Sequence, residues 1–132
     1  MKQSSGDDAA GFFTRRVASF GHAFRGLVFA LQSEPHVRID LLATVAVIAA
    51  GLYFDLSANE WCSVTLAIGL VIASEILNTA IEQLVDIVSP EHNPAAGRVK
   101  DLAAGATLVS AGCSIVVGVL IFGPRLLIFV NS

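Results

Sequence analysis

The chain has 132 residues, of which 55% are hydrophobic and only 14% charged, against about 25% charged in a soluble domain. That leaves too little polar material to coat a globule of this size. The formal net charge of -3 is mild and argues against nucleic acid as a partner. Cys62 and Cys113 stand far apart in apolar runs, with no CxxC or His spacing. They read as small hydrophobes rather than as a disulfide or a metal site.

Residues 1–11 are polar, lack the apolar run of a cleaved signal, and read as a disordered lead. Residues 12–132 then form a single membrane domain. Phe13, Val17, Phe20, Phe24, Leu27, Val28 and Leu31 recur every three or four positions, with Arg15, Arg16, His22 and Arg25 among them. This period predicts an amphipathic helix, and its basic, aromatic composition suits the headgroup level of a bilayer. The same stripe is also compatible with ordinary packing on a helical bundle. Ser33-Glu34-Pro35 breaks the helix, because proline disfavours the α region for the residue before it.

Three apolar stretches follow, roughly residues 41–54, 61–81 and 102–122, with Pro124 marking the expected end of the last. With flanking residues each is long enough for about 30 Å of hydrocarbon at about 1.5 Å per residue. The predicted fold is therefore an all-α integral membrane protein, an N-terminal amphipathic surface helix plus three transmembrane helices. Seven basic residues lie before the first span or between the second and third; only Arg125 lies on the other side. This bias predicts a cytoplasmic N-terminus and a cytoplasmic second loop. Ala106, Ser110, Ser114 and Gly118 form a small-residue stripe on the third span, which permits close helix approach.

The second span ends in polar residues that hydrocarbon does not favour. At about 100° per residue, Glu75, Thr79, Glu82 and Asp86 fall on one stripe with Asn78 at its edge. Glu75 lies about 16 Å along the axis from Asp86, inside the membrane boundary. An ionisable group at that depth costs several kcal/mol unless it faces a cavity or a partner. A structural hydrogen-bond network is the plainer account of Glu75 alone. For the whole stripe, stacked carboxylates at a membrane surface point to a divalent cation, and hard oxygen ligands to magnesium. Glu34, Arg98, Lys100 and Asp101 share the same layer, and the two cations suit a polyphosphate. Asp101 is equally placed to cap the third span. No GxxxxGK[ST], GxGxxG, HRD-like or DFG-like element occurs, so none of the soluble kinase folds is implied.

Glu34-Pro35-His36-Val37-Arg38-Ile39, Glu75-Ile76-Leu77-Asn78-Thr79-Ala80-Ile81-Glu82 with Asp86, and Lys100-Asp101 followed by Ala103-Ala104-Gly105-Ala106 resemble the prokaryotic diacylglycerol kinase and undecaprenol kinase family. The resemblance runs from about Phe13 to Phe122. It implies an ATP- and Mg²⁺-dependent lipid kinase in a bacterial plasma membrane, homotrimeric with shared active sites. Glu75 would be the catalytic base and touch the lipid alcohol, and Glu34 and Glu82 would hold the metal. Arg15, Glu34, Asn78, Glu82, Glu91, Asn93, Lys100 and Asp101 would bind the nucleotide. His22 stands where some members carry an aromatic. Arg38, Ile39 and Ala104 would lie along the lipid, and the Glu-Pro-x-x-Arg-Ile variant looks more like the undecaprenol-favouring branch. The rival class is a non-catalytic oligomeric membrane protein whose carboxylate stripe binds cations.

Overall fold

The computed structural model describes the backbone of residues 4–91 and 93–131, and side chains at residue 16 and from residue 18 onward within that range. Phe13, Arg15 and Val17, singled out above, lie outside the described side chains. Four helices follow in chain order: α1 (Ser4–Ser33), α2 (Pro35–Tyr53), α3 (Ala58–Val88) and α4 (Pro94–Val130). The first forms a unit of its own, Met1–Ser33, and the others make up the second, Glu34–Ser132.

Within α1, which starts at Ser4 inside the polar lead, Phe20 and Phe24 are exposed. Arg25 donates to His22 Nδ1 at 2.7 Å across one turn. The helix stops at Ser33, whose hydroxyl donates to the Phe29 carbonyl at 2.8 Å. Glu34 is extended (φ -110°, ψ 115°) and Pro35 opens α2. Proline is suited to that first helical position, where its missing N–H leaves no bond unmade.

Helices α2, α3 and α4 are each long and apolar enough to cross a membrane, whereas α1 is not among the candidate spans. The chain is thus a multi-pass helical membrane protein. Helix α4 packs principally on α3, and α2 packs on α3 more sparsely; α2 and α4 make no comparably close backbone approach among the described residues. The core sits at the end carrying the α2–α3 turn, where Leu56, Val64 and Ile121 are buried against Val47, Phe54, Trp61 and Phe122. There Asp55 takes a positive φ of 51°. Ser57 caps α3 through a reciprocal capping box with Glu60, satisfying two otherwise orphaned donors. Gly51 is required by contact: a Cβ there would lie 2.7 Å from Trp61 Cη2.

Two sequence expectations for the third span are corrected. The helix runs through Pro124 to Val130 rather than ending there. Proline removes the donor for the Leu120 carbonyl and crowds that turn; the next carbonyl, of Ile121, accepts from Arg125 Nη1 at 2.7 Å. Side chains and neighbouring helices commonly re-satisfy such groups in membrane helices. At the other end Asp101 is not the cap. Asn93 is, accepting from Ala95 N at 2.9 Å, with Pro94 next to it. The helix therefore begins two turns before Asp101, because an Asn-Pro pair is a stronger start signal than an acidic residue inside an already helical run. Ser110 of the small-residue stripe is buried within the subunit and donates to the Ala106 carbonyl at 3.0 Å.

Candidate active site

The C-terminal half of α3 carries the polar stripe as the helical period requires. Glu75, Asn78 and Glu82 are half-buried, Thr79 is buried and Asp86 is exposed. Asn78 Nδ2 donates to Glu82 Oε1 at 2.9 Å, fixing one carboxylate oxygen and the amide orientation together. The Asn78 Oδ1 that results is buried with no hydrogen-bond partner among the described residues. Buried acceptors in that state are rare in folded proteins.

Helix α2 brings the second wall. Glu34 is half-buried at the N-cap position, yet its carboxylate makes no capping bond. Glu75 lies within electrostatic reach of Asp40, His36, Glu82 and Glu34. Two of these, Glu82 and Glu34, are site residues expected from the sequence; His36 and Asp40 are additions. The signal for Asp40 was present: it is an ionisable residue in a membrane span, the same criterion that selected Glu75. Its Oδ2 is also buried without a hydrogen-bond partner among the described residues.

Helix α4 supplies the third element. Lys100 is ion-paired with Asp86, its side chain 35% exposed and that of Asp86 66%. A cleft of about 380 Å³ beside the pair is lined by Asp86, Glu91, Asn93, Gly97 and Lys100 among others. It brings together three of the residues expected to hold nucleotide, although the Asn93 side chain is engaged as the helix cap. Asp101 is exposed and does not line the cleft; Arg38, Ile39 and Ala104 are exposed, while Ala103 is buried. Arg15 lies outside the described side chains.

No group of three His, Cys, Asp or Glu residues close enough to cage a metal occurs among the described residues. Magnesium seldom needs such a cage; it is held by one or two carboxylates plus water and phosphate oxygens. Glu34 and Glu82 fit that demand: both are half-buried carboxylates, one uncommitted as a cap and the other aligned by Asn78. The donor chemistry is that of a hard cation.

A bundle of three membrane-length helices with a carboxylate-lined end makes this a polytopic membrane protein. The model of the family described as prokaryotic diacylglycerol kinase matches residues 21–122. Over 108 residues the chain is 42% identical to an undecaprenol kinase of Bacillus subtilis, covering 82% of this chain and 88% of that protein. A diacylglycerol kinase of Synechocystis is 36% identical over 112 residues, covering 84% of this chain and 64% of the relative. The diacylglycerol kinase of Escherichia coli K12 is 31% identical over 98 residues, 74% of this chain and 80% of that one. The chain belongs to the prokaryotic diacylglycerol kinase family.

Proposed function

We propose that this protein transfers the γ-phosphoryl group of ATP, with Mg²⁺, to the hydroxyl of a membrane lipid alcohol, and that undecaprenol is preferred to diacylglycerol. The observation that carries this reading is the half-buried Glu75 within the candidate span α3, with Glu82 about 10 Å further along the same helix. A base layer within reach of lipid and a polyphosphate layer above it are what phosphoryl transfer to a lipid headgroup requires. Kinship with an undecaprenol kinase over most of both chains supports the acceptor class.

In this reading Glu75 accepts the proton of the attacking hydroxyl and holds its oxygen toward the γ-phosphorus. Glu34 and Glu82 hold Mg²⁺, which when bound neutralises charge on the transferring phosphoryl group. Asn78 keeps Glu82 oriented. Lys100 exchanges Asp86 for a phosphate oxygen, a swap of one charge-assisted bond for another. The N-terminus and the α3–α4 turn face the cytoplasm, where ATP is. The site of one subunit is open, and its half-exposed carboxylates suit closure by neighbouring copies in a homotrimer with shared sites.

The test is a lipid panel with labelled ATP in matched micelles. Phosphate transfer to undecaprenol exceeding transfer to dioleoylglycerol is the expected result. Equal or reversed preference removes the polyprenol assignment. No transfer to either lipid removes the kinase reading.

A further inference from the structure

A second cavity, of about 180 Å³, lies inside the bundle between α2, α3 and α4, with Asp40, Val47, Ile68, Ile72, Ala111 and Ile115 in its lining. It lies where α4 packs closely and α2 more sparsely on α3, with no comparable backbone approach between α2 and α4 among the described residues. Half of its lining is branched aliphatic, from Val47, Ile68, Val71, Ile72 and Ile115, and Ser114 adds a hydroxyl from α4. Thr44, a polar group in the lining, already donates its hydroxyl to the Asp40 carbonyl at 2.7 Å. Asp40 stands at the end of the cavity nearer the start of α2, with a buried carboxylate oxygen that no described group satisfies.

The position of the cavity relative to the base is fixed by helix geometry. Ile68, Val71 and Ile72 line it from α3, and Glu75 follows Val71 by four residues and Ile72 by three on the same face. On α2, Asp40, Thr44 and Val47 form the corresponding stripe. The cavity is thus the apolar space one helical turn deeper in the membrane than Glu75, and Asp40 is at its rim. We infer that this cavity receives the first isoprenoid unit of the lipid alcohol, the segment directly attached to the hydroxyl, and so sets the preference between prenyl and glyceride acceptors. The inference rests on the lipid-kinase reading and extends it to the residues that select the acceptor.

Size and polarity both favour a prenyl group. An apolar cavity of about 150 Å³ is known to admit a benzene-sized molecule, and a single isoprene unit is of that order. A methyl-branched hydrocarbon matches Val47, Ile68 and Ile115 in shape. Diacylglycerol instead carries ester carbonyls close to its hydroxyl. Buried here they would find as side-chain donors only the hydroxyls of Thr44, already engaged, and Ser114, too few for two esters. Asp40, an acceptor when ionised, offers such a carbonyl nothing and adds like-sign repulsion, but it accepts readily from a hydroxyl passing the rim.

The experiment fills the cavity and watches the acceptor. Ala111→Leu is expected to lower kcat/KM for undecaprenol by about tenfold, the equivalent of about 1.4 kcal/mol. The KM for ATP should stay unchanged, and dioleoylglycerol should lose less, so that the preference narrows. Equal losses on both acceptors, or none, overturn the inference. Because a filled cavity can disturb folding, the unmutated protein is also photolabelled with a prenyl alcohol carrying a diazirine on its first isoprene unit. Labels mapping to Val47, Ile68 or Ile115 support the assignment, and labels confined to other faces overturn it. An unmutated protein that phosphorylates neither lipid ends the kinase reading, while the labelling pattern decides the cavity separately.

Discussion

The two ends of the three-helix unit are built on opposite principles. At the α2–α3 turn, Leu56, Val64 and Ile121 are buried together, Trp61 closes over Gly51, and the capping box satisfies the start of α3. Arg125 there donates to the two Glu60 carboxylate oxygens through Nη1 and Nη2, at 2.8 and 3.0 Å. At the opposite end, Asn78 Oδ1 and Asp40 Oδ2 are buried without partners among the described residues, and Glu34, Glu75 and Glu82 share one region in half-buried positions. One end has its polar groups matched and its apolar groups packed; the other gathers carboxyl groups and leaves buried polar atoms unpaired among the described residues. Unsatisfied groups of this kind persist where binding or chemistry uses them. The packed end provides the fixed frame against which the carboxylate end is held.

This contrast predicts that substitutions at the two ends fail in different assays. Glu75→Gln has the largest expected effect, a loss of turnover of about 10²–10⁴-fold, the range for a general base. ATP binding and thermal stability should be retained. A variant that keeps turnover but loses ATP affinity would move Glu75 out of the base role. Next come Glu34→Ala and Glu82→Ala, which should raise the KM for Mg·ATP by about tenfold or more, in the way lost metal contacts do. Excess magnesium should restore part of the activity. If both variants keep the magnesium dependence of the unmutated protein, the metal is held by other groups.

At the packed end the readout changes. Gly51→Ala should destabilise the protein by about 1–3 kcal/mol through overpacking against the Trp61 ring. The turnover of the molecules that remain folded should not move. Thermal unfolding in detergent alongside specific activity separates the two, and a variant with normal stability but poor turnover would erase the distinction between the ends. Asp86→Asn should have the smallest effect. It releases Lys100 from an exposed pair of a kind worth about 0.2–1 kcal/mol, so ATP should bind at most a few-fold more tightly. A large loss of ATP affinity would instead make Asp86 part of the nucleotide site.

Much of the molecule was legible in the chain alone. Apolar length yields the three spans, because hydrocarbon thickness sets a minimum that few other structures require. Pro35 after Glu34 yields the break between α1 and α2. The period of 3.6 residues puts Glu75, Thr79 and Glu82 on one stripe, and the residue motifs carry the family. These features depend on neighbours in sequence. Tertiary structure decided the rest. Glu60 and Arg125 are 65 residues apart, and no local rule pairs them. Lys100 looked like a free cation for phosphate until folding set it beside Asp86. Pro124 looked like a helix end, yet α4 continues through it to Val130. Asp40 is visible in the chain as an ionisable residue within a span, but the cavity it faces between α2 and α4 exists only in the fold. Periodicity fixes which face a residue is on, but which helix meets that face, and how closely, is set by packing across the whole bundle.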